Sequence, residues 1–238
     1  MKASQRRGKP FYGKDAPNWW FAWFIKYGPG QIIPLLWRIK VLDKEKLPDG
    51  GCILSCNHVS MMDSVMLWCC RLGKQPHFVA KSELYHPHIG NWHWLGWLLD
   101  MFGAMPVERH TADRVMINHC TDLLKRGEWV CIFPEGTRKR DEDDDTRLGE
   151  ALGGAAFLAQ RTNVPIIPIG ITGTEGIMVE GKRFPRFPQV TYLVGDPLYP
   201  DQFEGGRKER VSNMTNRLMR SIYALRDEAR KRRERSWK

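Results

Sequence analysis

The 238-residue sequence has no long apolar run. Its longest uninterrupted stretch, residues 19–25, is seven residues, far short of the roughly 18 that a spanning helix needs, so no segment reads as crossing a bilayer. A secretory leader is also missing. The basic start runs into Pro10, Tyr12, Asp15 and Asn18 rather than an apolar region with a small-residue cleavage site, which predicts a mature chain beginning near Met1. The six cysteines, Cys52, Cys56, Cys69, Cys70, Cys120 and Cys131, show no Cys-x-x-Cys pair and mostly sit in apolar surroundings. Neither zinc nor disulfides are expected, and reduced thiols in a cytosolic environment are. Internal repeats and Ser- or Pro-rich linkers are lacking too. With 42% apolar and 27% charged residues, the chain can bury a core and is neither a disordered tail nor a stapled miniprotein.

What is present is an excess of positive charge, +10 with histidine neutral, which calls for an anionic partner: nucleic acid, an anionic membrane surface, or a phosphate- or CoA-bearing substrate. The excess is terminal. Residues 1–14 hold five basic and no acidic residues, and residues 205–238 hold twelve basic and four acidic, while the stretch between them is mildly acidic and includes the run Asp141, Glu142, Asp143, Asp144, Asp145. Six of the ten tryptophans fall in two clusters, Trp19, Trp20, Trp23 and Trp92, Trp94, Trp97. Tryptophan favours the water–lipid interface. The first cluster, apolar nearly all round a helix and preceded by Lys2, Arg6, Arg7, Lys9 and Lys14, predicts an interfacial segment on anionic lipid. Three regions follow: 1–35, a basic and aromatic membrane-interface segment; 36–204, the main domain; and 205–238, a basic amphipathic helix in which Val211, Met214, Leu218, Ile222 and Leu225 recur at helical spacing.

Within the body, residues 36–42, 52–56, 78–80, 129–133, 165–171 and 189–194 read as strands, and 61–72, 87–101, 112–126 and 149–162 as helices. Strands that are continuous apolar runs between helices predict an α/β fold, with a mixed, mainly parallel central sheet flanked by helices and the aromatic N-terminal segment beside it.

Four segments carry chemistry. NHVSMMD, residues 57–63, lies between a buried strand and a helix, where ligands gather in an open α/β sheet. His58 and Asp63 are five residues apart, about 140° round an ideal helix, so they pair only if His58 occupies the turn before the helix and Asp63 its first turn. Paired, the carboxylate would hold the imidazole tautomer while the other ring nitrogen takes a proton from a hydroxyl. Unpaired, Asp63 is a helix cap and His58 an ordinary strand-end residue. FPEGTR, residues 133–138, follows another buried strand; Gly136 frees the backbone, and Thr137 and Arg138 offer donors for phosphate. GAMPVER, residues 103–109, and VPIIPIG, residues 164–170, complete the set.

In this order and at these separations the four segments resemble the glycerolipid acyltransferase family. The carriers are Asn57, His58 and Asp63 of NHxxxxD, Gly103 and Arg109 of the second block, the whole FPEGTR, and the Val-Pro-Ile-Ile-Pro block ending at Pro168, with FVAKSEL at residues 78–84 between them. The likeness covers about residues 36–200. Two departures stand out: Lys139-Arg140 leads into the acidic run, and Leu152-Gly153 precedes Gly154-Ala155 where family members carry a lysine, leaving Arg147 as a cation available nearby.

The resemblance implies acyl transfer from a thioester to the sn-2 hydroxyl of 1-acyl-sn-glycerol 3-phosphate, giving phosphatidate. His58 would be the general base and Asp63 its orienting partner. Arg109, Glu135, Gly136, Thr137 and Arg138 would bind the glycerol phosphate, with Glu135 orienting Arg138 or a glycerol hydroxyl, and Pro168 would help shape the site. No cofactor or metal is implied, since a thioester is already activated; acyl-CoA or acyl-acyl carrier protein enters as co-substrate. The partners implied are that donor, the lysophospholipid acceptor and anionic membrane lipids, at the cytoplasmic side of the cell membrane in a peripheral or monotopic attachment. Three alternatives stay open: another lysophospholipid or glycerol 3-phosphate as acceptor, Cys56 as an acyl-accepting nucleophile, and a non-enzymatic basic-tailed binder of membrane or nucleic acid, the last without any nucleic-acid motif to support it.

Overall fold

The computed structural model describes residues 19–60, 62–70, 72–81, 99, 104–107, 114–136, 151–178 and 184–235. Among them, seven strands form one sheet: β1 (Lys40–Leu42), β2 (Cys52–Cys56), β3 (Pro76–Lys81), β4 (Met105–Val107), β5 (Trp129–Ile132), β6 (Ile166–Thr172) and β7 (Thr191–Val194), in the order β1-β7-β6-β2-β5-β3-β4. Strands β6, β2, β5, β3 and β4 run parallel, whereas β7 is antiparallel to β6, with β1 parallel to β7. The mixed, mainly parallel sheet expected from the sequence is present.

Both faces are covered. One packs on α3 (Met62–Cys69), through Met66, Leu67, Trp68 and Cys69 against Leu54, Ile167, Ile169 and Tyr192. The other packs on α4 (Arg114–Lys125), α5 (Gly154–Thr162) and α6 (Arg207–Arg235), through Cys120, Leu123, Leu158, Met214, Leu218 and Ile222 against Ile53, Val130 and Ile166. Double coverage explains why β2 and β6 are buried and largely apolar along their whole length rather than alternating. The helix beyond residue 204 therefore shares the body's core, with Met214, Leu218, Met219, Ile222 and Ala229 buried at helical spacing. Two short helices, α1 (Trp19–Tyr27) and α2 (Ile32–Leu36), precede β1. Lys26 docks α1 on α3: buried, it holds its Nζ 5.5 Å from the Trp68 ring centroid, and desolvation pushes its pKa down to about 8.

Several boundaries differ from those the sequence suggests, two of them by several residues. The strand expected over 36–42 pairs only from Lys40, because the preceding residues form α2 and Arg38 takes a left-handed φ of 44° that interrupts an extended run. The helix expected from residue 149 begins at Gly154, with Gly153 as its N-cap, and the Leu152 N–H just ahead of it bonds to the Pro134 carbonyl. Met105–Val107 is a strand that the sequence left as a motif. Apart from Leu99, which is helical, the helix expected over 87–101 lies outside the described residues, as does the second tryptophan cluster.

Candidate active site

All five parallel strands end on one edge of the sheet, and the segments that begin at Asn57 and Phe133 follow two of those ends. At the end of β2, Asn57 is buried and acts as a clamp: its Nδ2 donates to the Ile171 carbonyl at 3.0 Å and its Oδ1 accepts from the Ile171 N–H at 2.7 Å. A side-chain amide thus supplies one more rung between β2 and β6 and fixes where the next residue begins.

That residue is His58. Its Nδ1 lies 2.9 Å from Asp63 Oδ2, and the same oxygen accepts the N–H groups of Val59 and Ser60, each at 2.9 Å. Asp63 stands in the first turn of α3 and is fully buried, while the preceding turn is closed by Ser60, whose Oγ accepts the Met62 N–H. The two readings of Asp63, cap and histidine partner, are both realised by one oxygen. An acceptor at Nδ1 places the ring proton there and leaves Nε2 with its lone pair outward. His58 is about one-fifth exposed, and Nε2 has no hydrogen-bond partner among the described residues. The imidazole stacks on Phe133, with centroids 4.2 Å apart and planes 25° from parallel, so the ring is held on both its edge and its face.

Phe133 opens the second segment at the end of β5. Gly136 closes a turn onto the Phe133 carbonyl at 3.1 Å with a φ of 63°, a conformation that favours glycine, and an added Cβ would press on Leu152. Glu135 is buried in that turn, its Oε1 accepting from the Tyr223 hydroxyl of α6 at 3.4 Å, and Arg226 lies 5.0 Å over the Tyr223 ring. Helix α6 reaches this position because Gly170 of β6 lets its backbone pass closely at Leu225 and Arg226. Tyr223 and Phe133 were not singled out as site residues from the sequence; nothing local marks Tyr223, which stands 88 residues from Glu135 in an otherwise ordinary helix.

The structure therefore brings His58, Asp63, Glu135 and Gly136 to one edge. Pro168 is placed differently, inside β6 opposite Ser55, its carbonyl accepting the Gly195 N–H at 2.9 Å just past the end of β7. It is buried in the sheet, three residues before the Ile171 that Asn57 clamps. Arg109, Thr137 and Arg138 lie outside the described residues; Arg109 follows β4 by two positions, and Thr137 and Arg138 directly follow the Gly136 turn. Cys56 is wholly buried, and desolvation, followed by its neighbour Cys131, pushes its thiol well above the ordinary value, which argues against the nucleophile alternative.

Comparisons with known proteins give the family. The family model described as Acyltransferase matches residues 38–172. The 1-acyl-sn-glycerol-3-phosphate acyltransferase of Bacillus subtilis is 32% identical over 196 residues, 82% of this chain and 91% of the relative. A chloroplastic 1-acyl-sn-glycerol-3-phosphate acyltransferase from Brassica napus is 32% identical over 160 residues, 65% of this chain and 43% of the relative's length. Among solved structures, the 1-acyl-sn-glycerophosphate (LPA) acyltransferase PlsC of Thermotoga maritima shares the fold, with a TM-score of 0.56 at 23% identity over 86% of this chain and 87% of that one. The matched stretch contains β1 through β6 with the His58–Asp63 pair and the Glu135–Gly136 turn between them, and with more than half its length so matched, this chain belongs to the acyltransferase family.

Proposed function

We propose that this chain transfers a fatty acyl group from a thioester to the sn-2 hydroxyl of 1-acyl-sn-glycerol 3-phosphate, giving phosphatidate for phospholipid synthesis. The observation that carries the reading is the His58–Asp63 contact, which fixes the Nδ1–H tautomer and turns Nε2 toward the sheet edge where the FPEG turn lies. In this reading Nε2 takes the proton of the acceptor hydroxyl as its oxygen bonds to the thioester carbonyl carbon. Collapse of the tetrahedral intermediate breaks the carbon–sulfur bond, and the imidazolium returns its proton to the departing sulfur. Asp63 orients the ring and stabilises its transient positive charge.

Arg109 and Arg138, with Thr137 and the Gly136 turn, hold the glycerol phosphate, and Glu135, itself held by Tyr223, orients that set. The acyl donor is a thioester of CoA or of an acyl carrier protein. The chain works on the cytoplasmic side of the cell membrane as a peripheral or monotopic protein. No helix among the described residues is long and apolar enough to cross a membrane, and Trp20, Phe24, Tyr27, Ile32 and Leu35 of α1 and α2 expose apolar surface beside a basic terminus.

The test is the purified protein with labelled acyl-CoA and an acceptor panel of lysophosphatidate, glycerol 3-phosphate, other lysophospholipids and a phosphate-free monoacylglycerol. Lysophosphatidate is expected to be preferred, with Arg138→Ala raising its KM by roughly ten- to a hundredfold, the loss of one charge-assisted contact of about 1.5–3 kcal/mol. Preference for the phosphate-free acceptor would contradict the assignment.

A further inference from the structure

Two short segments 149 residues apart in sequence, around Trp37 and Arg186, form one surface at the β1 end of the sheet. Trp37 is buried between them: its Nε1 donates to the Arg186 carbonyl at 3.0 Å, and its ring meets Phe187 at a centroid distance of 4.9 Å. Arg38 Nη2 donates to the Phe187 carbonyl at 3.0 Å, and Val190 and Lys40 continue the pairing through Val190 N–H to Trp37 O and Lys40 N–H to Val190 O. The segment Phe-Pro-Arg-Phe-Pro at 184–188 is thus tied to the chain leaving α2, and its two prolines limit the backbone freedom left to lose.

This surface gathers large apolar side chains and cations on the outside of the body. Phe184 is 79% exposed and Leu35 77%, with Phe187 and Leu36 also exposed. Residues 35–40 and 184–190 contain three cations, Arg38, Lys40 and Arg186, all exposed, and no Asp or Glu. Large exposed apolar side chains rimmed by charge mark an interaction surface, and aromatics combined with cations alone match the headgroup region of an anionic bilayer, where rings enter the acyl boundary and basic groups meet phosphate.

We infer that the 184–188 loop, joined to Leu35 and Leu36 of α2 across Trp37, is a second membrane contact of this protein, Phe184 and Phe187 entering the interface while Arg38, Lys40 and Arg186 meet lipid phosphates. It extends the membrane attachment proposed for α1 and α2 to a part of the chain remote in sequence, and it is read without reference to turnover.

The experiment is flotation of the full chain with phosphatidylcholine vesicles, with and without phosphatidylglycerol, comparing wild type, Phe184→Ser and Arg186→Gln. Phe184→Ser removes an exposed ring, so its thermal midpoint should match wild type while its vesicle partition coefficient falls roughly tenfold, about 1.4 kcal/mol. Arg186→Gln should weaken binding to the anionic vesicles alone, and added salt should erase the difference. Partitioning of Phe184→Ser equal to wild type would overturn the inference, as would a dimer in analytical ultracentrifugation that Phe184→Ser disrupts without changing vesicle binding, since the surface would then cover a second copy. A wild-type chain that binds neither vesicle type would instead sink the membrane attachment as a whole.

Discussion

At the scale of single residues, Asp63 concentrates the site's logic. One carboxylate oxygen accepts from His58 and from the N–H groups of Val59 and Ser60, so it shapes the turn before α3 and chooses the imidazole tautomer together. The sequence made this legible through geometry: a separation of about 140° on an ideal helix allowed pairing only with His58 ahead of the helix, and that is where it stands. Asp63→Asn keeps an acceptor for the two N–H groups yet no longer selects the Nδ1–H form. It should lower kcat about 10²- to 10⁴-fold with little change in the thermal midpoint; an unchanged kcat would mean the tautomer does not matter. His77 makes a prediction about stability. Buried in β3, its imidazole is pushed down to about 4, first by desolvation and then by His119 and Arg126, and Glu128, 4.0 Å away and 45% exposed, is too screened to offset this. A lowered pKa means that the unfolded chain binds a proton below about 6.5 that the folded chain refuses until about pH 4. Stability is therefore full above 6.5 and falls with acid, by about 2 kcal/mol between pH 7 and pH 5. Denaturation of His77→Leu at the two pH values should lack that share of the loss, and parallel slopes for variant and wild type would refute it.

At the scale of elements, the continuous apolar runs of β2, β5 and β6 were readable because a sheet covered on both faces leaves no alternation to misread. Boundaries were less so, as at α2, where Arg38 in a left-handed conformation breaks what composition alone suggests is one strand. The contribution of α6 was illegible for a different reason. Its amphipathic spacing announces a helix, but only Gly170, which admits the helix backbone against β6, brings Tyr223 to Glu135. Asn57 belongs to this scale too, since it joins β2 to β6 where the catalytic turn departs. Asn57→Leu would leave the buried N–H and carbonyl of Ile171 without their partners, a loss of about 2–4 kcal/mol. Chemical denaturation measures it directly, and a variant as stable as wild type would show that the clamp is dispensable.

At the scale of the whole molecule, the net charge of +10 changes meaning once the fold is known. The C-terminal excess is not a free polybasic tail along its described length: Arg232 pairs with Asp43 and Glu228, and Arg233 with Glu175, so part of the charge ties α6 to the body. In the proposed membrane contact it is instead the exposed Arg38, Lys40 and Arg186 beside Phe184 that meet lipid. In the proposed function, what unites the molecule is a sheet whose carboxyl edge holds His58, oriented by Asp63, as the base beside the Gly136 turn that would take the phosphate. The account rests most heavily on His58. The measurement that tests it is turnover of labelled acyl-CoA and lysophosphatidate by wild type and by His58→Ala, with circular dichroism and thermal midpoints confirming that both are folded. Phosphatidate formation by wild type and a loss of at least about 100-fold in kcat for the variant are predicted; a folded His58→Ala protein that turns over like wild type would contradict the account.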